Sequence, residues 1–191
     1  MPSNRHVVNQ TIAAYANVAI DSAQAAGGRE AVVEVRNQLI QILGFMGSNI
    51  DLRLALKDEG YTEEQRGELA RKVFEGFNPV LVDVVAAMAS RGDTDLLRRV
   101  YNLYEELIES KLGFSVVDVT TVVDLDDHLR TVITNKAQSD LGRDCVLVEH
   151  IDSSLKGGII MSTRNRYVDA SVRSQLDKAR LVLKEQDGGE C

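Results

Sequence analysis

The residues best suited to chemistry form an acidic cluster that ends in a histidine. Asp124, Asp126, Asp127 and His128 are all residue types that bind metal ions. The sequence lacks a second motif, such as H-E-x-x-H, that would complete a metal site. Acidic residues also suit the first turn of a helix, where the exposed amides and the helix dipole favour negative charge. We therefore expect this cluster to begin a helix.

A second set of residues, Cys145, His150 and Asp152, has the types of a nucleophile, a base and an orienting acid. Cys145 and His150 fall in a predicted strand and are an odd number of residues apart, so their side chains should point to opposite faces. That arrangement prevents a hydrogen bond between them. We predict that Cys145 is a small core residue and that the chain has no catalytic residues.

The glycine pair Gly157-Gly158 does not fit a phosphate-binding loop. Neither G-x-x-x-x-G-K-[ST] nor G-x-G-x-x-G follows a strand at this point, and the pair precedes a predicted strand instead. Glycines in that position typically serve a tight turn or a bulge. We predict that Asp152, Gly157 and Gly158 are structural turn residues and that the chain binds no metal or cofactor.

The composition restricts the classes of partner. With 29 acidic residues against 22 lysines and arginines, the formal net charge is -7, which disfavours non-specific binding to nucleic acid and to anionic lipid. No apolar run approaches the roughly 18 residues of a membrane span. The first ten residues have the features of neither a secretory signal nor a transit peptide. We expect no membrane insertion and a function carried by protein surfaces.

The first 111 residues have helical periodicity. Apolar residues recur at steps of three and four, and glycines or capping residues separate the patterns. Thr62 begins a capping box that Gln65 completes, and Asn78-Pro79 is a typical helix start. Short loops between the helices predict a compact six-helix bundle. The predicted helices are 5–26, 29–46, 49–56, 62–77, 79–90 and 95–110.

The periodicity changes at Gly113, where a run rich in β-branched residues predicts a strand. A helix joins this strand to the next, which predicts a parallel pair with a right-handed crossover. The complete pattern is βαββα, with the last helix starting at about Ala170. We therefore predict an α+β protein of two domains, a helical bundle over 1–111 and a small α/β domain over 112–186, followed by a disordered tail over 187–191.

Five segments resemble the delta subunit family of the F-type ATP synthase, known in mitochondria as the oligomycin-sensitivity-conferring protein. One of them, Val116–Leu125, is similar to the first strand of the family's C-terminal domain. Ala14–Ala19 is similar to the family's Arg-Tyr-Ala-x-Ala-Leu signature, and Met88–Gly92 to the stretch that precedes its last bundle helix. Val148–Ile160 resembles its motif of a hydrophobic residue, Asp-x-Ser-Leu-Ile-Gly-Gly and a hydrophobic residue. Val168–Leu176 matches Ile-Asp-x-Ser-Val-x-x-x-Leu. The resemblance covers nearly the whole chain.

Three positions depart from the family pattern. Ala14 stands where the family usually has Arg, Lys156 where it usually has an apolar residue, and Asp93 where Arg commonly follows the glycine. These differences affect local contacts.

The resemblance implies a non-catalytic stator subunit of the proton-translocating enzyme, one copy per complex. Such a subunit ties the catalytic α/β head to the b subunits of the peripheral stalk, so that the head resists the torque of the rotor. Its bundle takes up the N-terminal helix of an α subunit between the first and fifth helices, here 5–26 and 79–90. The groove residues expected in this sequence are Ile12, Tyr15, Ala16, Ala19, Val84, Ala87 and Met88.

The resemblance also implies that the C-terminal domain meets the b subunits through its helices. It places the protein peripherally at the cytoplasmic face of a bacterial-type cell membrane. Two alternatives remain, a general helical adaptor unrelated to the synthase and a metal enzyme using residues 124–128. The groove residues could also be bundle core, since a groove floor and a core share one periodicity.

Overall fold

The computed structural model describes residues 2–58 and 60–187, and the side chains of residues 5–58 and 60–183. The chain divides into two compact units, Met1–Leu112 and Gly113–Cys191. Within the described residues the first unit is helical, and the second combines a four-stranded sheet with two helices. The predicted α+β class is confirmed. The four C-terminal residues of the predicted disordered tail lie outside the described residues, and Asp187 ends the last helix.

Over residues 2–58 and 60–112, the first unit contains five α-helices and a short 3₁₀ helix. The predicted bundle of six separate helices is not confirmed, because the first two predicted helices form one long element. Its elements are α1 (Pro2–Ser48), α2 (Ile50–Ala55), α3 (Glu63–Val73), α4 (Pro79–Arg91), the 3₁₀ helix Thr94–Leu96 and α5 (Leu97–Lys111).

The backbone of α1 leaves helical geometry at the two glycines where the sequence predicts a helix end. Gly27 has φ -163° and ψ 22°, and Gly28 has φ 62° and ψ -142°. The positive φ of Gly28 is a conformation that glycine adopts without the steric penalty of a Cβ. The glycine pair therefore divides α1 into two helical halves.

The two halves of α1 pack along α5 in opposite directions. Their contacts are Asn9–Arg99 and Asp21–Lys111 for the first half and Arg36–Glu105 for the second. In a continuous helix Arg36 would lie about 22 Å beyond Asp21, at 1.5 Å per residue. It instead contacts Glu105, which precedes Lys111 by less than two turns. The chain therefore turns back at the glycines.

Predicted helix caps are confirmed in this unit. Thr62 and Gln65 form a reciprocal capping box, in which the Gln65 amide donates to the Thr62 hydroxyl over 3.2 Å. The Asn78 side chain accepts a hydrogen bond from the amide of Val80, and Pro79 occupies the first turn of α4. These caps satisfy amides that have no partner within their own helix.

The second unit is a βαβββα arrangement. Its elements are β1 (Phe114–Thr121), α6 (Asp127–Leu141), β2 (Asp144–Ile151), β3 (Gly158–Ser162), β4 (Tyr167–Ser171) and α7 (Val172–Asp187). The sheet order is β2-β1-β3-β4, and β1 and β2 are parallel, as predicted. Strand β3 is antiparallel to both of its neighbours.

The prediction of βαββα was wrong by one strand, because β4 was missed. Its five residues include Asp169 and Ala170, which are types depleted in strands, so their local propensity is weak. Pairing with β3 along its whole length imposes the extended conformation. As a result α7 begins at Val172, two residues later than expected.

One face of the sheet packs against α6. The core there includes Val117, Val119, Ile133, Ala137 and Cys145, all at least nine-tenths buried. Most residues of α7, by contrast, are exposed. Within the described part of the chain, no helix is both long enough and apolar enough to cross a bilayer.

Candidate partner-binding site

The acidic cluster begins α6. The Asp126 carboxylate accepts a hydrogen bond from the amide of Leu129 over 2.6 Å, and Asp127 forms an ion pair with Arg130 in the same helix. The predicted helix start is therefore confirmed. Among the described residues, no three histidine, cysteine, aspartate or glutamate side chains gather as a metal site would require.

Cys145 and His150 lie on opposite faces of the sheet, as predicted. The Cys145 thiol is buried and donates to the carbonyl of Thr134 in α6 over 3.7 Å. Burial, together with the charge of Asp144, raises the pKa of this thiol. The half-exposed His150 ring instead bonds the Asp118 carboxylate, with Nε2 and Oδ1 3.1 Å apart. This pair is therefore not a catalytic dyad.

The loop that contains Asp152, Gly157 and Gly158 is joined to the start of α7. The Asp152 carboxylate accepts from the amide of Ser154 over 2.8 Å, and hydrogen bonds from Ser154 lower the pKa of this carboxyl group. The Gly157 carbonyl accepts from the amide of Val172 over 3.0 Å.

Gly158 has no room for a side chain. Its φ is 86°, and a Cβ there would lie 2.4 Å from the carbonyl oxygen of Ala170. Ser171, next along β4, accepts a hydrogen bond from the amide of Ser174 in the first turn of α7. The segments Val148–Ile160 and Val168–Leu176 therefore meet, and their contact fixes the direction in which α7 leaves the sheet.

The seven expected groove residues differ in exposure. Tyr15 is half-buried and Ala87 is exposed. The other five side chains are buried in the bundle interior, where a partner cannot contact them in this arrangement: Ile12, Ala16, Ala19, Val84 and Met88. A role for any of the seven in binding a partner stays a prediction.

Tyr15 connects α1 to the segment after α4. Its hydroxyl donates to the Asp93 carboxylate over 3.0 Å, and Arg91 lies 3.8 Å from the same oxygen. Burial, the hydrogen bond to Asp93 and the charge of Asp93 raise the pKa of Tyr15 to about 12. The hydroxyl therefore stays protonated at neutral pH. The contact between Tyr15 and Asp93 was not predicted, because the two residues are 78 apart in the sequence and no local pattern links them.

A strip of exposed apolar residues on the first half of α1 was not predicted. Val7, Ala14 and Val18 recur at steps of seven and four, so they share one face. Val7 and Val18 are each more than half exposed. Their spacing is the signal that could have identified them, since it is offset from the buried stripe of Ile12 and Ala16.

Exposed apolar side chains also occur on α7, where Leu176 and Leu183 share one face. Leu176, Leu181, Val182 and Leu183 are each more than half exposed. Large apolar side chains gathered on one helix are typical of a surface that a partner covers.

The sequence is similar to known subunits of one enzyme. The family model described as ATP synthase delta (OSCP) subunit matches residues 12–183. "ATP synthase subunit delta" of Rhodopirellula baltica is 28% identical over 91% of this chain and 80% of that protein. The Myxococcus xanthus protein of the same name is 26% identical over 94% of this chain and 100% of its own length.

The fold is also similar to that of a solved structure. A chain in the cryo-EM structure of the Toxoplasma gondii mitochondrial ATP synthase hexamer aligns with a TM-score of 0.51 and 16% identity, over 90% of this chain and 96% of that one. At this level of identity the likeness supports the fold alone.

Proposed function

The chain belongs to the ATP synthase delta (OSCP) subunit family, and we propose that it ties the α/β head to the b subunits of the peripheral stalk. It is a non-catalytic subunit of the synthase complex. Rotor torque turns the head unless a stator connects the head to the membrane-anchored stalk. The observation that carries this function is the family match, which extends across both compact units.

In this proposal the helical unit binds the N-terminal helix of an α subunit beside α1 and α4. An amphipathic helix binds a groove through apolar anchors at helical spacing. Tyr15 and Ala87 can contact the partner directly, because their side chains reach the surface. The buried residues Ile12, Ala16, Ala19, Val84 and Met88 would support the groove from beneath. The strip of Val7, Ala14 and Val18 adds apolar surface on the same helix.

The second unit would meet the b subunits through its helices. Leu176 and Leu183, which are exposed and lie on one face of α7, supply apolar area for such a contact. With one copy in each complex, the subunit would be peripheral at the cytoplasmic face of the membrane.

The experiment is a calorimetric titration of the full chain with a peptide of about twenty residues from the N-terminus of the same organism's α subunit, a length of about 30 Å as a helix. We expect saturable one-to-one binding. Tyr15→Asp should abolish it, because the substitution replaces a ring that reaches the groove surface with a carboxylate beside Asp93. Tyr61→Asp is the matched control, since Tyr61 is exposed in the loop before α3. Circular dichroism checks that each variant is folded. A folded wild-type chain that binds no α peptide would favour the general helical adaptor.

A further inference from the structure

One side of α7 and the loop before β3 enclose an open cleft of about 730 Å³. Its apolar lining comes from Leu155 in the loop and from Leu176, Ala179 and Leu183 in α7. The three α7 residues recur at steps of three and four, so they form a continuous stripe along one face of the helix. The cleft lies entirely within the second unit.

The charged residues of the cleft are mostly basic. Lys156, Arg173 and Arg180 line it, with Asp177 as the one carboxylate among its lining residues. This surplus of positive charge occurs in a chain whose formal net charge is -7. Lys156 also occupies a position where the family usually has an apolar residue. Positive charge beside an apolar stripe favours a partner that is apolar in the middle and acidic at its edges.

We propose that this cleft binds an acidic amphipathic helix of a peripheral-stalk subunit. The inference rests on the proposed stator function and assigns to it a surface and a partner chemistry. Leucines of the bound helix would cover the stripe of Leu176, Ala179 and Leu183, and its flanking carboxylates would pair with Lys156, Arg173 and Arg180. An anionic lipid surface fits less well, because Asp177 faces into the same cleft and the whole chain is acidic.

The chain offers matched pairs of variants for the test. Arg180 lines the cleft whereas Lys178 does not, and two residues of separation put them on opposite sides of α7. Leu176 lines the cleft whereas Leu181 does not, and both are more than half exposed. Arg180→Glu is therefore compared with Lys178→Glu, and Leu176→Asp with Leu181→Asp. All four positions are exposed, so the variants should fold, and circular dichroism checks this.

The first probe is a designed eighteen-residue peptide with leucines at helical spacing and glutamates beside them. A second peptide carries lysine in place of every glutamate. Calorimetry on the full chain should detect binding of the acidic peptide and not of the lysine peptide. The affinity for the acidic peptide should fall as the salt concentration rises. We expect Arg180→Glu and Leu176→Asp each to weaken binding about tenfold, and the two controls to change it less than about twofold. Equal binding of both peptides, or equal effects of each variant and its control, would overturn the inference.

The soluble part of the organism's b subunit is the second probe and separates this inference from the proposed function. If wild-type chain and Leu176→Asp bind that part of b equally, the cleft is not its docking site, although the stator function stands. If the wild-type chain binds neither b nor the α peptide, the proposed function itself fails. Vesicles containing anionic lipid complete the test, because binding to them in preference to the acidic peptide would overturn the inference in favour of a lipid surface.

Discussion

The long helix α1 and the terminal helix α7 use their apolar residues in different ways. Both halves of α1 have fully buried apolar residues within the helical unit, Ala16 in the first half and Val35 and Ile42 in the second. In α7 the large apolar side chains remain open, with Leu176 57% exposed. The first helix therefore stabilises the unit to which it belongs, whereas the second leaves large apolar side chains exposed. Sequence periodicity is similar in the two helices and does not reveal this difference.

The largest expected contrast is between two leucine substitutions. Leu39 is 1% exposed, so Leu39→Ala should lower the free energy of unfolding by about 2–5 kcal/mol through lost burial and a residual cavity. Leu176→Ala should change it by less than about 0.5 kcal/mol, because the side chain already contacts water. Urea unfolding followed by circular dichroism measures both. Similar losses for the two variants would show that α7 is packed in solution.

The next effect concerns the buried ion pair between the second half of α1 and α5. Arg36 is 3% exposed, and its guanidinium donates two hydrogen bonds to Glu105 over 2.9 and 2.8 Å. Arg36→Ala should cost about 3 kcal/mol, since it leaves the Glu105 carboxylate without its main partner. Arg53→Ala on the exposed surface of α2 is the control, with an expected change under about 0.5 kcal/mol. A cost below about 1 kcal/mol at Arg36 would contradict a buried, structured pair.

A smaller effect is expected where the second unit directs α7. Gly158→Ala should cost about 2 kcal/mol, because strain at positive φ adds to a clash with the Ala170 carbonyl. Gly142→Ala shares the positive φ but meets no atom within 4 Å, so it should cost only about 1 kcal/mol. Hydrogen exchange in β4 and the first turn of α7 should accelerate for Gly158→Ala alone. Equal exchange rates in the two variants would mean that the close approach of Gly158 to Ala170 does not fix the direction of α7.

The smallest effect concerns Tyr15. Tyr15→Phe removes the hydrogen bond to Asp93 and should cost about 1 kcal/mol at neutral pH. Because the folded-state pKa of about 12 exceeds the usual value of 10, the contribution of Tyr15 is complete below pH 10 and is lost as pH rises through 12. The difference in unfolding free energy between wild type and Tyr15→Phe should therefore shrink over that interval. A constant difference would show that the hydroxyl is not the titrating group.

Local patterns predicted much of the fold. Capping residues such as Thr62 and Asn78 satisfy amides a few residues away, so the sequence contains both partners. Strand β4 was missed because its conformation depends on pairing with β3 rather than on its own residues. The six-helix count is not confirmed, because the first two predicted helices form the single element α1, although the predicted break at Gly27 and Gly28 is present as two non-helical residues within it.

The candidate site was less predictable than the fold. Periodicity identified Ile12 and Met88 as inward-facing but could not separate a bundle core from a groove floor, since both need apolar residues at the same spacing. The Tyr15–Asp93 hydrogen bond joins residues 78 apart in sequence. The open cleft likewise forms only where the loop before β3 lies against α7. That arrangement depends on the close contact between Gly158 and the end of β4.

The most direct test of the stator function asks whether the chain bridges two partners at once. Purified α/β head and the soluble part of b are mixed with and without the full chain, and complexes are separated by size-exclusion chromatography. We predict that b elutes with the head only when the chain is present. Tyr15→Asp should abolish head binding while b binding remains. Co-elution of b with the head in the absence of the chain, or a chain that never binds both partners together, would contradict the account.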